Sequence, residues 1–221
     1  MKPATRRFTI AAALLILFFV FTVIVMKVDV QPIGPQDSEV GCAALNGAVH
    51  DAFGTSEGMY QLTERIGYLA LATVAVFGVI GLVQLIRRKS LCKVDPDILV
   101  LGGFYIIVLI LYVLFSKIVI NYRPVLEDGV LEASYPSSHT MLAICTMGAV
   151  MIEGAYRIRN SAISFVVRAL SGGIMAVLIL GRLLSGMHWL TDIIGGMLLG
   201  AALLTAFDAC FVLVTEKVRK Q

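Results

Sequence analysis

The chain alternates between long apolar runs and short polar segments. The apolar runs cover residues 8–28, 62–86, 98–120, 138–156, 162–184 and 189–214. Each run is close to or above the length of about 20 residues that a helix needs to cross the hydrocarbon core of a bilayer. The pattern predicts an all-α polytopic membrane protein with six transmembrane helices, formed by a single domain over residues 1–221.

The polar segments between the runs add detail to this layout. No small-residue cleavage site follows the first run, so we expect a retained helix rather than a removed signal peptide. Residues 40–53 form an amphipathic stretch, which predicts a short helix at the membrane surface with Leu45, Val49 and Phe53 towards lipid. The sequence Asp95-Pro96-Asp97 is typical of a helix start.

Composition supports a membrane protein. Hydrophobic residues make up 58% of the 221 residues and charged residues only 15%, against about 25% in soluble domains. This excludes a soluble enzyme with a membrane tail. The four cysteines have no CxxC or zinc-type spacing, so we expect neither a disulfide framework nor a zinc site. No feature points to nucleic acid, and protein partners stay open.

The basic residues lie mostly on one side of the predicted membrane. Both termini fall on that side, with the loops after the second and fourth helices, and the other side carries only five of the 18 basic residues. By the positive-inside rule, the termini are predicted to be cytoplasmic. The thirteen basic residues on this side are Lys2, Arg6, Arg7, Arg87, Arg88, Lys89, Lys93, Arg157, Arg159, Arg168, Lys217, Arg219 and Lys220.

Three polar stretches then fall at the extracytoplasmic ends of the predicted helices 3 to 6. They are residues 117–124, residues 135–139 and residues 181–192. Together they place histidines, cations, hydroxyls and a carboxylate near one membrane surface, where ionisable groups are functional candidates by default. His188 and Asp192 are four residues apart, so on a helix the carboxylate could hold the imidazole in one tautomer. Arg182 is a fixed cation suited to phosphate.

These stretches read Lys…Arg-Pro, Pro-Ser-x-His and Arg-x5-His-x3-Asp. In this order they resemble the three-part signature of the type-2 phosphatidic acid phosphatase family, which comprises membrane lipid phosphate phosphatases and shares an active site with soluble acid phosphatases and vanadate haloperoxidases. The resemblance implies that His188 is a phosphoryl-accepting nucleophile, that Asp192 orients it, and that His139 is the general acid and base. It also implies a set of phosphate contacts: Lys117, Arg123, Arg182, Ser137 and Ser138.

The sequence departs from the family pattern in three places. Lys117 precedes Arg123 by six residues rather than seven, and on a continuous helix that step separates the two side chains by about 240°. Pro124 disfavours helix at Arg123, which allows the chain to leave the helix there. Ser138 stands where the family has glycine, and Gly181 stands where it has serine.

We expect a bacterial-type membrane enzyme whose active site faces outside the cell membrane. Its reaction would be metal-independent and cofactor-free hydrolysis of a lipid phosphomonoester or pyrophosphate through phosphohistidine, with phosphatidic acid, phosphatidylglycerol phosphate and undecaprenyl pyrophosphate as candidates. A lipid phosphotransferase using the same intermediate, or a non-enzymatic lipid-binding or transport protein, are the alternatives. Trp189 and Tyr135 are expected at the membrane interface, and Asp208 is expected to snorkel towards the membrane surface or to pair, for example with Arg168.

Overall fold

The fold is known from a computed structural model, which describes residues 3–127 and 129–219 and the side chains up to Glu216. These residues form α-helices with two short 3₁₀ turns, and they contain no β-strand. The helices are α1 (Pro3–Lys27), α2 (Ala43–Phe53), α3 (Glu57–Arg88), α4 (Pro96–Phe115), α5 (Ser138–Arg157), α6 (Ser161–Leu184) and α7 (Leu190–Arg219).

Five of the described helices are long and apolar enough to cross a membrane, namely α1, α3, α4, α6 and α7. The chain is therefore a multi-pass membrane protein. The helix α5 is not among these five, and the sixth span stays a prediction. The less apolar composition of α5 has a structural reason. The helix packs against α3, α6 and α7, and 11 of its 20 residues are buried. A helix that contacts protein on several sides does not need a continuous apolar surface towards lipid.

The helix boundaries differ from the predicted runs at two points near the polar stretches. The helix α4 ends at Phe115 rather than near residue 120, so Lys117 lies beyond the helix. The chain thus leaves the helix before Lys117, and not at Pro124. The helix α3 begins at Glu57, five residues earlier than the apolar run, because Ser56 caps its first turn by accepting a hydrogen bond from the Met59 amide.

The short helix α2 was expected at the membrane surface, and two of its predicted lipid-facing side chains are exposed. Leu45 and Phe53 have half of their surface accessible, whereas Val49 is only partly exposed. On its other side α2 contacts α7 and buries Asn46 completely.

The apolar core joins α1, α4, α5 and α7. The helix α1 packs along α7, and Phe104 of α4 stacks on Phe207 of α7 at 4.8 Å between ring centroids. Tyr135 belongs to this core, with its ring against Phe18 and its hydroxyl 2.8 Å from that of Thr22. The expectation of an interfacial Tyr135 is therefore wrong, since burial with a hydrogen-bonded hydroxyl satisfies both ends of the side chain.

Trp189 was also expected at the interface, and it is buried as well. Only 3% of its surface is accessible, and its indole N–H donates to the backbone carbonyl of Tyr122 at 2.7 Å. This bond ties the segment before α7 to the segment after α4, so Trp189 helps to hold two of the three polar stretches together.

Some of the charged positions used for the topology prediction lie outside the described residues. They are Lys2 and Lys220, and the side chains of Lys217 and Arg219. Asp208 is described, and it forms an ion pair with Arg7 of α1 at 2.5 Å rather than with Arg168. The difference arises because α1, and not α6, packs along this part of α7.

Candidate active site

His139 and His188 lie close together although 49 positions separate them in the chain. Their ring centroids are 6.4 Å apart. His139 is the second residue of α5, and His188 lies in the short connection between α6 and α7. The connection turns sharply at Gly186, which has a φ of 68° and lies against the backbone of Gly54. Only glycine adopts this conformation without strain and leaves room for the approaching chain.

Asp192 is fully buried in the first turn of α7 and faces His188. Its Oδ2 lies 3.7 Å from Nδ1 of His188 and accepts a hydrogen bond from the Trp189 amide at 2.9 Å. Catalytic pairs are often longer than a hydrogen bond before the substrate is bound. The other imidazole nitrogen, Nε2, is buried and makes no hydrogen bond to any described residue.

The electrostatic surroundings keep His188 neutral. Burial holds the pKa of His188 well below its usual value, and the positive charges of Arg123, His139 and Arg182 lower it further. A neutral imidazole has a lone pair, so His188 is in the form that a nucleophile or base requires.

Two buried asparagines support this region, and neither was recognised from the sequence as a site residue. Asn121 donates to Oδ1 of Asp192 at 3.3 Å and accepts from the Gly41 amide at 3.1 Å. Asn46 of α2 donates to the hydroxyl of Thr191 and accepts from the Thr191 amide. Asn121 lies within a motif stretch, but Asn46 has no sequence signal, because its partner is 145 positions away.

Arg182 is the largest fully buried side chain of the described residues. Its Nη2 donates to Glu64 of α3, and its guanidinium carbon lies 5.1 Å from the ring centroid of Tyr60. Its Nε and Nη1 are buried and have no hydrogen-bond partner among the described residues. A buried cation with unused donors is suited to bind an anion.

Arg123 lies after α4 and is held by two carboxylates of the same polar segment. Glu127 lies 2.5 Å and Glu132 3.3 Å from its guanidinium. Tyr60 donates to Glu127 at 2.6 Å. Burial by itself would raise the pKa of Glu127, but the hydrogen bond from Tyr60 and the charge of Arg123 hold that pKa below its usual value.

Ser137 and Ser138 form the start of α5. The Ser137 hydroxyl caps the helix by accepting from the Thr140 amide, and the Ser137 amide donates to the carbonyl of Asp192 at 2.9 Å. This contact joins α5 to α7. It is possible because Gly196 of α7 has no side chain; a Cβ there would lie 2.6 Å from the Ser137 carbonyl oxygen. Helix N-termini such as this one favour anions.

Lys117 differs from the other four predicted phosphate contacts in being exposed. Its side chain is exposed, and it makes no hydrogen bond or ion pair with any described residue. It lies two residues after the end of α4, in an irregular segment. Its contact with phosphate stays a proposal.

The N-terminal turns of α3 add residues that the sequence analysis missed. Tyr60 and Glu64 are four residues apart, so they share one helix face, and this face contacts Arg182, His139 and Glu127. The only sequence signal was an acidic residue next to Arg65 at the start of an apolar run, which is weak because acidic residues are common in first helix turns.

A cavity of about 630 Å³ opens beside this cluster. Glu64 and His139 form its polar end, and most of the rest of its wall comes from apolar side chains of α3, α4 and α5, including Leu71, Leu109 and Leu142. A second cavity of about 540 Å³ shares Val74, Tyr105 and Ile106 with the first and continues between α3 and α4. The charged cluster therefore borders a largely apolar cavity.

Part of the chain matches a known protein family. Residues 117–216 match the family model of the PAP2 superfamily, and this segment contains all eight predicted site residues. The resemblance to the type-2 phosphatidic acid phosphatase family is thus confirmed. Lipid phosphate phosphatase delta of Arabidopsis thaliana is 30% identical over 80 residues. These residues are 35% of this chain and 19% of the relative, so the chain matches about a fifth of that protein's length.

The fold also has a solved counterpart. The PAP2-type phosphatidylglycerolphosphate phosphatase of Bacillus subtilis superposes with a TM-score of 0.54 and 19% identity, covering 95% of this chain and 96% of the other. LpxE of Aquifex aeolicus aligns with a TM-score of 0.41 and 18% identity, over 77% and 93% of the two chains. The first comparison shows that the fold is that of a PAP2-type membrane phosphatase.

Proposed function

We propose that this protein is a membrane lipid phosphatase that acts through a phosphohistidine at His188. The observation that carries the proposal is the meeting of His139 and His188 at 6.4 Å beside the buried Arg182. Among the described residues, Nδ1 of His139, both ring nitrogens of His188, and Nε and Nη1 of Arg182 have no hydrogen-bond partner. This set supplies what phosphoryl transfer requires, namely a nucleophile, a proton donor and positive charge.

The reaction has two steps. Nε2 of His188 attacks phosphorus, and the bond from phosphorus to the lipid oxygen breaks. The electron pair of that bond stays with the lipid oxygen, which takes a proton from His139. Water then attacks the phosphorus of the phosphohistidine and gives a proton to His139. The phosphorus–nitrogen bond breaks, and inorganic phosphate leaves.

The proposal assigns phosphate binding to five residues. Arg182 and Arg123 carry most of the positive charge, and the Ser137 and Ser138 region adds the N-terminus of α5. Lys117 joins this group from the rim. For Arg123, the phosphate competes with Glu127 and Glu132, which now neutralise it. Asp192 orients His188 and does not contact the substrate.

The cavity supports a lipid as the substrate. Its polar end is at Glu64 and His139, and its apolar wall is formed mainly by side chains of α3 and α4. A phosphate at the histidines would therefore leave its hydrocarbon chain in an apolar environment. The candidates are phosphatidic acid, phosphatidylglycerol phosphate and undecaprenyl pyrophosphate. With six spans and cytoplasmic termini, the site would face the outside of the cell membrane.

The function is tested by measuring phosphate release from these three lipids with purified protein in detergent, with and without EDTA. We expect turnover of at least one lipid, unaffected by EDTA, and its loss in the His188→Ala variant. Lipid binding by His188→Ala without turnover agrees with the enzyme. Equal phosphate release by the variant and the unmodified protein contradicts it, and would leave lipid binding or transport as the function. Transfer of the phosphoryl group to an added lipid alcohol instead of water would indicate a phosphotransferase.

Sidedness is tested separately. A reporter inserted in the segment 121–137 should be accessible from outside the membrane, whereas a reporter at either terminus should be accessible only from the cytoplasm. Cytoplasmic access to the 121–137 segment would contradict the proposed orientation.

A further inference from the structure

Glu64 is an acidic residue inside the proposed phosphate site, and it belongs to none of the three polar stretches. It lies on α3, two turns after the helix start, with 24% of its side chain exposed. Its Oε1 lies 3.1 Å from Nε2 of His139 and accepts a hydrogen bond from Nη2 of Arg182. One carboxylate oxygen therefore joins the proposed proton donor to the buried arginine.

This contact makes the surroundings of the two histidines alike. His188 has the Asp192 carboxylate next to Nδ1, and its Nε2 has no partner among the described residues. His139 has the Glu64 carboxylate on Nε2, and its buried Nδ1 likewise lacks a partner. A carboxylate on one ring nitrogen fixes the orientation of an imidazole and leaves the other nitrogen for chemistry. The site thus contains two carboxylate–imidazole pairs rather than one.

Burial and the neighbouring charges together explain why His139 needs such a partner. The groups that act on it are Arg182 from α6, Arg123 from the segment after α4, His188 before α7 and Glu64 from α3. The two arginines are positive, and positive neighbours disfavour a protonated imidazole. A proton donor must nevertheless carry its proton when the leaving oxygen departs. Glu64 supplies a negative charge in direct contact with the ring.

We propose that Glu64 is a positioning residue for proton transfer by His139. It orients the imidazole and holds the proton that passes to the leaving lipid oxygen as the bond to phosphorus breaks. In the second step the same imidazole takes a proton from the attacking water, again under the control of Glu64. The carboxylate itself neither gains nor loses a proton. This inference rests on the proposed function, because it assumes that His139 transfers the proton.

The test compares Glu64→Gln with a matched control. The amide keeps the shape of the side chain and can still accept a hydrogen bond from His139, but it has no charge. Glu57→Gln makes the same change on an exposed residue of the first turn of α3. Both variants are assayed with phosphatidic acid and with p-nitrophenyl phosphate, whose leaving group departs as a stable anion and needs little protonation. The measurements are kcat, KM and the pH dependence of kcat.

For Glu64→Gln we expect kcat with phosphatidic acid to fall about ten- to a hundredfold, with KM changed by less than about threefold. The high-pH side of the kcat profile should move to lower pH, because the imidazole holds its proton less tightly without the carboxylate. The loss with p-nitrophenyl phosphate should be several-fold smaller. Glu57→Gln should match the unmodified protein in all three measurements.

Two results would overturn the inference. One is an unchanged kcat and pH profile in Glu64→Gln. The other is a lower KM at unchanged kcat, which would mean that Glu64 only competes with phosphate for Arg182. If Glu64→Gln does not fold, Glu64→Asp is used instead: withdrawal of the carboxylate from His139 should lower kcat, and an unchanged kcat counts against the inference.

His188→Ala is run in parallel. If it retains turnover, the proposed function itself fails; if it is inactive and Glu64→Gln is normal, only this inference fails.

Discussion

The two ends of α5 each carry a cluster of charged side chains, and the two clusters differ in how they are satisfied. The histidine cluster lies at the start of α5 and consists of His139, His188, Asp192, Arg123, Arg182 and Glu64. The Arg157 cluster lies at the other end and consists of Arg157, Glu153, Asp95, Asp97 and Arg88. Arg157 uses all three guanidinium nitrogens on carboxylates, with Nε on Glu153 at 3.0 Å and Nη1 on Asp95 at 3.5 Å.

The histidine cluster is not satisfied in this way. Arg182 uses one guanidinium nitrogen for hydrogen bonding, and its other two have no partner among the described residues. Both histidines also retain a nitrogen without a partner. Buried polar groups are nearly always hydrogen-bonded, so a group of unused donors around one point indicates a place for an anion. The cation of the Arg157 cluster is fully paired, although the buried Oε1 of Glu153 has no hydrogen-bond partner among the described residues, whereas the buried cation of the histidine cluster keeps two unused donors.

The largest effect that separates the two clusters should come from His139→Ala. Loss of a general acid lowers turnover by about 10²- to 10⁴-fold, and the loss should be smallest with p-nitrophenyl phosphate. The thermal unfolding midpoint in detergent should stay within a few degrees of the unmodified protein. A variant that unfolds much earlier, or that turns over lipid normally, would make the histidine cluster a structural one.

Arg182→Ala should also lower turnover of the lipid. Removing one charge-stabilising donor from a phosphoryl-transfer site costs about 10²- to 10³-fold in kcat/KM. Arg182→Lys should recover little of this, because a lysine cannot present the planar fork that contacts Glu64 and the phosphate together. Recovery to near-normal kcat/KM by lysine would show that only the charge matters.

Arg157→Ala should lower the stability of the protein and leave its turnover nearly unchanged. It leaves Glu153, Asp95 and Asp97 without their shared cation, which we expect to destabilise the fold by about 1–3 kcal/mol. The measurement is unfolding in detergent. Protein that remains folded should keep kcat within about threefold. A large fall in kcat at unchanged stability would contradict the division between the clusters.

Sequence patterns predicted some residues of the histidine cluster and missed others that support it. The motif spacing and the charge distribution brought His139, His188 and Arg182 to one helix-bundle end, and the structure brings these residues together. Glu64, Asn46 and Asn121 were missed as site residues because their contacts join positions 70 to 145 residues apart. Such contacts follow from helix packing, which no local pattern encodes. The expectation for Trp189 failed because aromatic side chains near helix ends look alike in sequence whether they face lipid or protein.

The pH dependence should also reflect the histidine cluster. Because burial lowers the pKa of His188, its imidazole stays neutral at pH values where an exposed histidine, with a pKa near 6.5, is half protonated. Activity should therefore fall on the acid side only at pH values below about 6.5. The check is kcat/KM between pH 4.5 and pH 8. A half-maximal point above the ordinary histidine value would mean that His188 is not kept neutral.

The smallest effect is expected at Lys117. Its side chain is exposed, so its attraction to phosphate is screened by water and salt. We expect Lys117→Ala to lower kcat/KM by less than about tenfold, and the difference should shrink as salt is added. A loss as large as that of Arg182→Ala would show that Lys117 moves into the site when the substrate binds.

The most direct test of the account is to trap the phosphorylated protein. Purified protein is mixed with phosphatidic acid that carries a radioactive phosphate, stopped rapidly in alkali, and digested for mass spectrometry. We expect an acid-labile, alkali-stable phosphate on His188, and no label in the His188→Ala variant. Turnover of the lipid without any labelled protein, or a label on another residue, would contradict the claim that His188 receives the phosphoryl group.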